Sequence, residues 1–164
     1  MHPSAPFQAK TFDDLSAGER FVSGTKTVLQ SDIAAFADLT GDHNPVHIDE
    51  DFARGTLFRG RIAHGLLAQS LASGLAWQMG LFHGTIVALA EMSMRFEGAV
   101  RPGDTIRLEL SVLAKDPSPG PRRGHVRWRT RVHNQKDELV IDGEWLTLLQ
   151  RTRSPRRQGE ESTK

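Results

Sequence analysis

One stretch limits the folds open to this chain more than any other: residues 64–80, its longest apolar run. Leu66, Leu67, Leu71, Leu75, Ala76 and Met79 are joined there by small residues at Ala68, Ala72, Ser73 and Gly74. The pattern predicts a helix buried nearly all round, and at ~1.5 Å per residue it would span roughly 25 Å, about the width of a small sheet. A buried helix needs a layer to cover it, and the chain supplies one. Four runs with the two-residue period of half-buried strands follow, at residues 86–96, 106–112, 126–132 and 139–149. The turns between them, at 98–103, 115–124 and 134–137, are short enough to favour antiparallel neighbours. Threonines and valines between Glu19 and Gln30 suggest a first strand. The expectation is an α+β domain: a curved antiparallel five-stranded sheet wrapped on one long central helix.

The 164 residues, 38% hydrophobic and 25% charged, suit a single domain over 1–152 with no room for a second. Residues 1–10 are expected to be flexible, as is the charged tail 153–164, where Arg153, Arg156 and Arg157 are followed by Glu160 and Glu161 without an interleaved aromatic. A net charge of +1 argues for neither a nucleic-acid nor an anionic membrane partner. The absence of cysteine removes thiol nucleophiles and cysteine-based metal sites. No apolar run approaches a membrane span, residues 1–11 lack the apolar core of a signal peptide, and a cytoplasmic protein is expected.

Ahead of the central helix, Ser31 is a plausible N-cap for a helix over 32–39 that Thr40-Gly41 ends, and a short helical piece is expected over 49–54. Between them runs Gly41-Asp42-His43-Asn44-Pro45-Val46-His47. Asp42 and His47 stand five residues apart, separated by a proline expected to exclude a helix and fix the loop, the kind of place where catalytic groups tend to sit.

Residues 39–49, LTGDHNPVHID, followed by Gly60-Arg61-Ile62-Ala63-His64-Gly65 at the mouth of the long helix, resemble the MaoC-like, or R-specific enoyl-CoA hydratase, family. The resemblance implies the hotdog fold, and the order of elements read above agrees with it from about Glu19 to Gln150. It implies (3R)-specific 2-enoyl-CoA hydration, reversible as a dehydration, with an acyl-CoA thioester as substrate and no cofactor. Such chemistry needs a base for water at Cβ, an acid for Cα and donors for the enolate-like oxygen. By resemblance, Asp42 and His47 form the dyad around one water, Gly65 offers its amide to the thioester carbonyl, and Ser70 faces the dyad. A helix N-terminus and a glycine's open backbone suit the oxyanion role on physical grounds too, although a packing role fits Gly65 nearly as well. Asn44 is expected to buttress the loop, and His64 to be a structural hydrogen-bonding group.

The spacing of His43, His47, His64, Asp42, Asp49 and Glu50 fits no familiar zinc or calcium pattern, and no metal is expected. Arg59, Arg61 and Arg95 are candidates for the CoA phosphates. Arg127, Arg129 and Arg131 read as a solvated outer strand face. Ala88, Ala90, Met92 and Met94 read as core, and Leu66, Leu67, Leu71, Leu75, Trp77, Leu81 and Phe82 as candidate acyl-pocket walls. The resemblance also implies a homodimer or larger homo-oligomer, with sheets joined edge to edge. Two alternatives remain at this stage: a hotdog acyl-CoA thioesterase, for which Glu91 would be the carboxylate, and a non-catalytic acyl-CoA or acyl-carrier-protein binding module.

Overall fold

The computed structural model describes residues 7–152. Its elements run in the order expected: β1 (Arg20–Thr27), α1 (Gln30–Thr40), α2 (Pro45–Ile48), α3 (Glu50–Arg54), α4 (Gly65–Gln78), β2 (Ile86–Phe96), β3 (Thr105–Asp116), β4 (Arg123–His133) and β5 (Leu139–Gln150). A 3-10 turn at Phe12–Asp14 precedes them. The strands form one antiparallel sheet in the order β1-β3-β4-β5-β2.

Alternation decides which side of the sheet meets α4. Ile106, Leu108, Leu110 and Val112 on β3, Val126, Trp128 and Val132 on β4, and Ile141, Trp145 and Leu149 on β5 are all buried, packed with Leu67, Ala68, Ala72, Leu75 and Ala76 of the helix. Trp128, fully buried, donates its indole N–H to Thr147 Oγ1 at 2.8 Å, and the rings of Phe21 and Phe82 meet it edge-on. The small side chains of α4 let it sit in the sheet's concavity. Helix α4 is not buried all round, however: Leu66 is 59% and Trp77 54% exposed, and Ser70, Ser73 and Gly74 share that open side.

Strand β2 departs from the expected pattern. Bulges between Ile86 and Ala88 and between Leu89 and Glu91 shift its phase, so that Leu89 pairs with inward-facing Thr147 while Ala88 pairs with Leu148 on the outer side. Ala88, Ala90 and Met92 are exposed rather than core, and of the four expected core residues only Met94 packs against the buried cluster, as Ile86 does at the start of the strand. The reason is position: β2 is the sheet's edge, with Val87, Leu89, Met92 and Phe96 all at least 40% exposed. Opposite Met94 stands Gly143, where an added Cβ would run into the Ser93 carbonyl and the Met94 backbone.

Arg127, Arg129 and Arg131 do face outward, but they are paired rather than merely solvated. Asp142, 5% exposed, lies beneath Arg95, Arg129 and Arg131, and Arg127 meets Glu91 and Glu144. The N-terminal stretch is corrected in part. Phe7 and Lys10 donate backbone N–H groups to Met79 O (3.1 Å) and Leu81 O (2.9 Å), and Phe7 packs edge-on against Phe21, so residues 7–10 are tied to the end of α4. Residues 1–6 and the charged tail 153–164 lie outside the described residues.

Candidate active site

Helix α1 ends at Gly41, whose left-handed backbone (φ 77°) lets its N–H close on Ala37 O at 2.8 Å. The chain then reverses in a small bonded turn. Thr40 Oγ1 donates to Phe36 O (2.7 Å) and accepts the Asp42 N–H (3.3 Å), while the Asn44 N–H reaches back to Asp42 Oδ1 (3.4 Å). Asn44 caps α2 by accepting the Val46 N–H at 3.2 Å. Pro45 does not exclude helix here. It occupies the first helical position, where an N–H would have no partner anyway, and the one-turn helix it starts carries His47.

That turn delivers His47, 9% exposed, with Nδ1 2.8 Å from the carbonyl oxygen of Ile62. A carbonyl only accepts, so its partner assigns a hydrogen to Nδ1, and in the neutral ring Nε2 is the bare nitrogen. His64, 3% exposed, stacks on His47 with ring centroids 3.7 Å apart and a 29° tilt. Its Nε2 donates to the backbone oxygen of Asp42 at 2.9 Å, and its Nδ1 is buried without a partner. The Asp42 carboxylate is 57% exposed, with Oδ2 4.0 Å from His64 Nε2. His43 points away, to Asp38 Oδ1 at 3.1 Å, and that hydrogen bond raises its pKa above the usual imidazole value.

Asp42, His47, His64 and Gly65 line one cavity of about 530 Å³. Gly65 is the first residue of α4, and His64 before it makes no side-chain cap, so the first N–H groups of the helix are left without one. A Cβ on Gly65 would sit 2.7 Å from Cε1 of Phe96, so the glycine also lets that ring close over the helix start. That ring gives Gly65 a packing reason, and the same position leaves its backbone beside the cavity. Ser70 is not brought to the dyad: its Oγ donates to Leu66 O at 2.7 Å on the exposed side of α4, away from the cavity lining.

Two of the three phosphate candidates are already paired. Arg61 Nε donates to Glu50 at 3.0 Å, and Arg95 meets Glu97 (3.0 Å) and Asp142 (3.1 Å). Arg59 has no ion pair among the described residues, and its backbone is left-handed at φ 59°, in a turn closed by its N–H to Thr56 O at 3.2 Å. Glu91 lies on the outer face beside Arg127 and does not line the cavity. Of the seven expected acyl walls only Leu66 lines it; Trp77 and Phe82 border a second hollow of about 110 Å³, and Leu67, Leu71, Leu75 and Leu81 belong to the packed core. The walls are instead Phe36, Phe58, Ile62, Phe96, Val100 and Ile141. They come from distant parts of the chain, and of them only Ile62 lay inside a motif singled out in the sequence.

Asp42, His47 and His64 each offer a ligand atom within 4.8 Å of the others, the spacing of a small cation site. Their hydrogens do not suit one. The His64 nitrogen near the Asp42 carboxylate carries the hydrogen that the Asp42 carbonyl accepts, and its other nitrogen, Nδ1, is buried, which leaves the Nε2 of His47 and the carboxylate for chemistry. A proton acceptor, a carboxylate and free N–H donors around one apolar cavity suit acid–base chemistry beside a developing oxyanion.

The family model described as MaoC like domain matches residues 15–133. An (R)-specific enoyl-CoA hydratase of Rhodospirillum rubrum is 35% identical over 138 residues, covering 84% of this chain and 90% of that protein. The crystal structure of a MaoC-like dehydratase from Rhodospirillum rubrum superposes with a TM-score of 0.81 at 30% identity, covering 89% of this chain and all of that one. A Mycobacterium tuberculosis protein described as a double hotdog fold superposes at 0.75 with 24% identity over 93% of this chain and 47% of its own, a likeness of fold alone. The five-stranded sheet around α4 is a hotdog fold.

Proposed function

From the premise that the chain belongs to the MaoC-like dehydratase family, as a hydro-lyase of the hydratase/dehydratase class, we propose that it is a (3R)-specific 2-enoyl-CoA hydratase. The observation that carries this reading is the convergence of Asp42, the bare Nε2 of His47 and the uncapped start of α4 on one cavity.

In the forward direction the thioester carbonyl accepts the Gly65 N–H, which draws electron density from Cβ. Water held between Asp42 and His47 gives its oxygen to Cβ and a proton to the dyad. The dyad returns a proton to Cα from the same face, giving syn addition and the 3R alcohol. Dehydration is the reverse. The enoyl thioester is polarised by its own carbonyl, so the step calls for no metal and no cofactor, and coenzyme A enters as part of the substrate. Arg59 is the remaining cation for its phosphates, since Arg61 and Arg95 are engaged.

We also propose a homodimer joined at β2. The strand offers an open hydrogen-bonding edge, and Val87, Leu89 and Met92 together with Trp77 of α4 expose apolar surface beside it. No helix among the described residues is long and apolar enough to cross a membrane. We propose a cytoplasmic location as part of this reading.

The test is loss of the conjugated enoyl-thioester absorbance with crotonyl-CoA and a medium-chain 2-enoyl-CoA, with Asp42→Asn alongside. Loss without free CoA, absent in the variant, supports hydration by the dyad. Release of free CoA would make the protein a thioesterase, and no change at stoichiometric protein would point to a different acyl group or to a binding module.

A further inference from the structure

The mechanism above does not use His64, yet His64 is the most constrained polar side chain near the reacting groups. It is 97% buried by its 3% exposure, it precedes α4, and its ring lies between Phe36 (centroids 5.1 Å) and His47 (3.7 Å). Its Nε2–H crosses 22 residues of sequence to the Asp42 carbonyl. That bond is not a helix cap, and it does not complete a core network, since Nδ1 is left unpartnered.

We propose that His64 is a positioning residue that sets the two dyad members in register. The Nε2–H fixes the backbone oxygen of Asp42, and hence the direction in which the carboxylate leaves the loop. The ring face holds the His47 imidazole, whose other constraint is the Nδ1–H bond to Ile62 O at 2.8 Å. Asp42 is otherwise held by its N–H to Thr40 Oγ1 at 3.3 Å and by the Asn44 N–H on its carboxylate at 3.4 Å, both within its own turn, and the carboxylate is 57% exposed. A reacting group that is open to solvent needs its backbone fixed, because a displacement of about 1 Å at the reacting atoms can cost on the order of 100-fold in rate. His64 also reaches both groups from the element that presents the Gly65 N–H, so one residue ties dyad and oxyanion donor together.

The kinetic part of the test rests on the hydratase reading. His64→Phe keeps an aromatic ring against His47 and removes the donor; His64→Gln keeps an N–H of similar reach and loses the ring. The expected result is a fall in kcat of about 100-fold for His64→Phe with KM within about threefold, and recovery to within about tenfold of the native rate for His64→Gln. A second readout needs no activity. Ring 15N shifts should find His64 with its hydrogen on Nε2, and the backbone amide of His43, which follows the Asp42 carbonyl, should shift and lose order in His64→Phe but not in His64→Gln. A native kcat in His64→Phe, a hydrogen on Nδ1 of His64, or equal losses in both variants tracking a fall in Tm would each overturn the proposal. Should the native protein hydrate no enoyl thioester, the hydratase reading fails while the amide and 15N measurements still decide the role of His64.

Discussion

The two ends of α4 are opposites. At its C-terminal end, Met79, Leu81 and Phe82 are buried, the Gly80 N–H closes on Trp77 O, His83 Nε2 donates to the same carbonyl, and the N-terminal strap of Phe7 and Lys10 takes the Met79 and Leu81 carbonyls. At its N-terminal end no side chain caps the helix, and Gly65 opens on the cavity. The same helix is satisfied at one end and left unsatisfied at the other. Packing consumes the backbone groups it covers, so binding capacity survives where packing is withheld.

The contrast predicts that damage at the open end removes function and spares the fold, and that damage at the closed end does the reverse. Asp42→Asn should have the largest effect, a loss of up to about 10⁴-fold in kcat with Tm unchanged, read by the absorbance assay and thermal unfolding in parallel. A parallel fall in Tm would mean that the open end is structural after all. Next is Phe82→Ala at the closed end, which removes a buried ring edge-on to Trp128 and should cost about 3–5 kcal/mol in urea unfolding while folded protein keeps its kcat. Gly65→Ala should follow, with about 100-fold lower kcat as the new Cβ meets Phe96, partly restored when Phe96→Ala is added.

The smallest effect sharpens the comparison with a third helix end. Helix α1 is capped where α4 is not: Asp32 accepts the Leu29 N–H at 2.9 Å, and that bond is the main cause of a carboxyl pKa below its usual value. Asp32→Ala should cost about 1 kcal/mol. Because the folded pKa lies below the unfolded one, the contribution is complete above pH 3.8 and is lost as pH falls through the folded value, so native and variant stabilities should converge in acid. A constant difference down to pH 2 would show that the cap does not depend on the charge.

Much of this was legible in the sequence, for reasons specific to each element. The apolar run of α4 and the alternation of β3, β4 and β5 are local periodicities that burial on one side enforces. The phase of β2 was not legible, because two bulges reset it and because an edge strand buries little. Asp42, His47 and Gly65 lay in short motifs and meet at the cavity, whereas Ser70 has the spacing but sits a turn beyond the cavity lining with its hydroxyl on Leu66 O. The cavity walls escaped because Phe36, Phe96 and Ile141 are neighbours only once helix, edge strand and last strand have come together. Likewise Arg61 looked free because Glu50 stands 11 residues away, and of the two partners of Arg95 only Glu97, two residues along, was near in sequence, Asp142 standing 47 away.

Gly143 has a bearing on how such a pocket changes over generations. Any side chain there would collide with the Ser93 carbonyl and pry β2 from β5, so the position should be barren in a saturation library, while outward-facing Glu144 beside it tolerates exchange. Two residues along the same ladder, Phe96 and Ile141 face each other and both line the cavity. Selection for a different acyl group is thereby channelled into that pair: one rung of the ladder is frozen, and the next is where novelty enters.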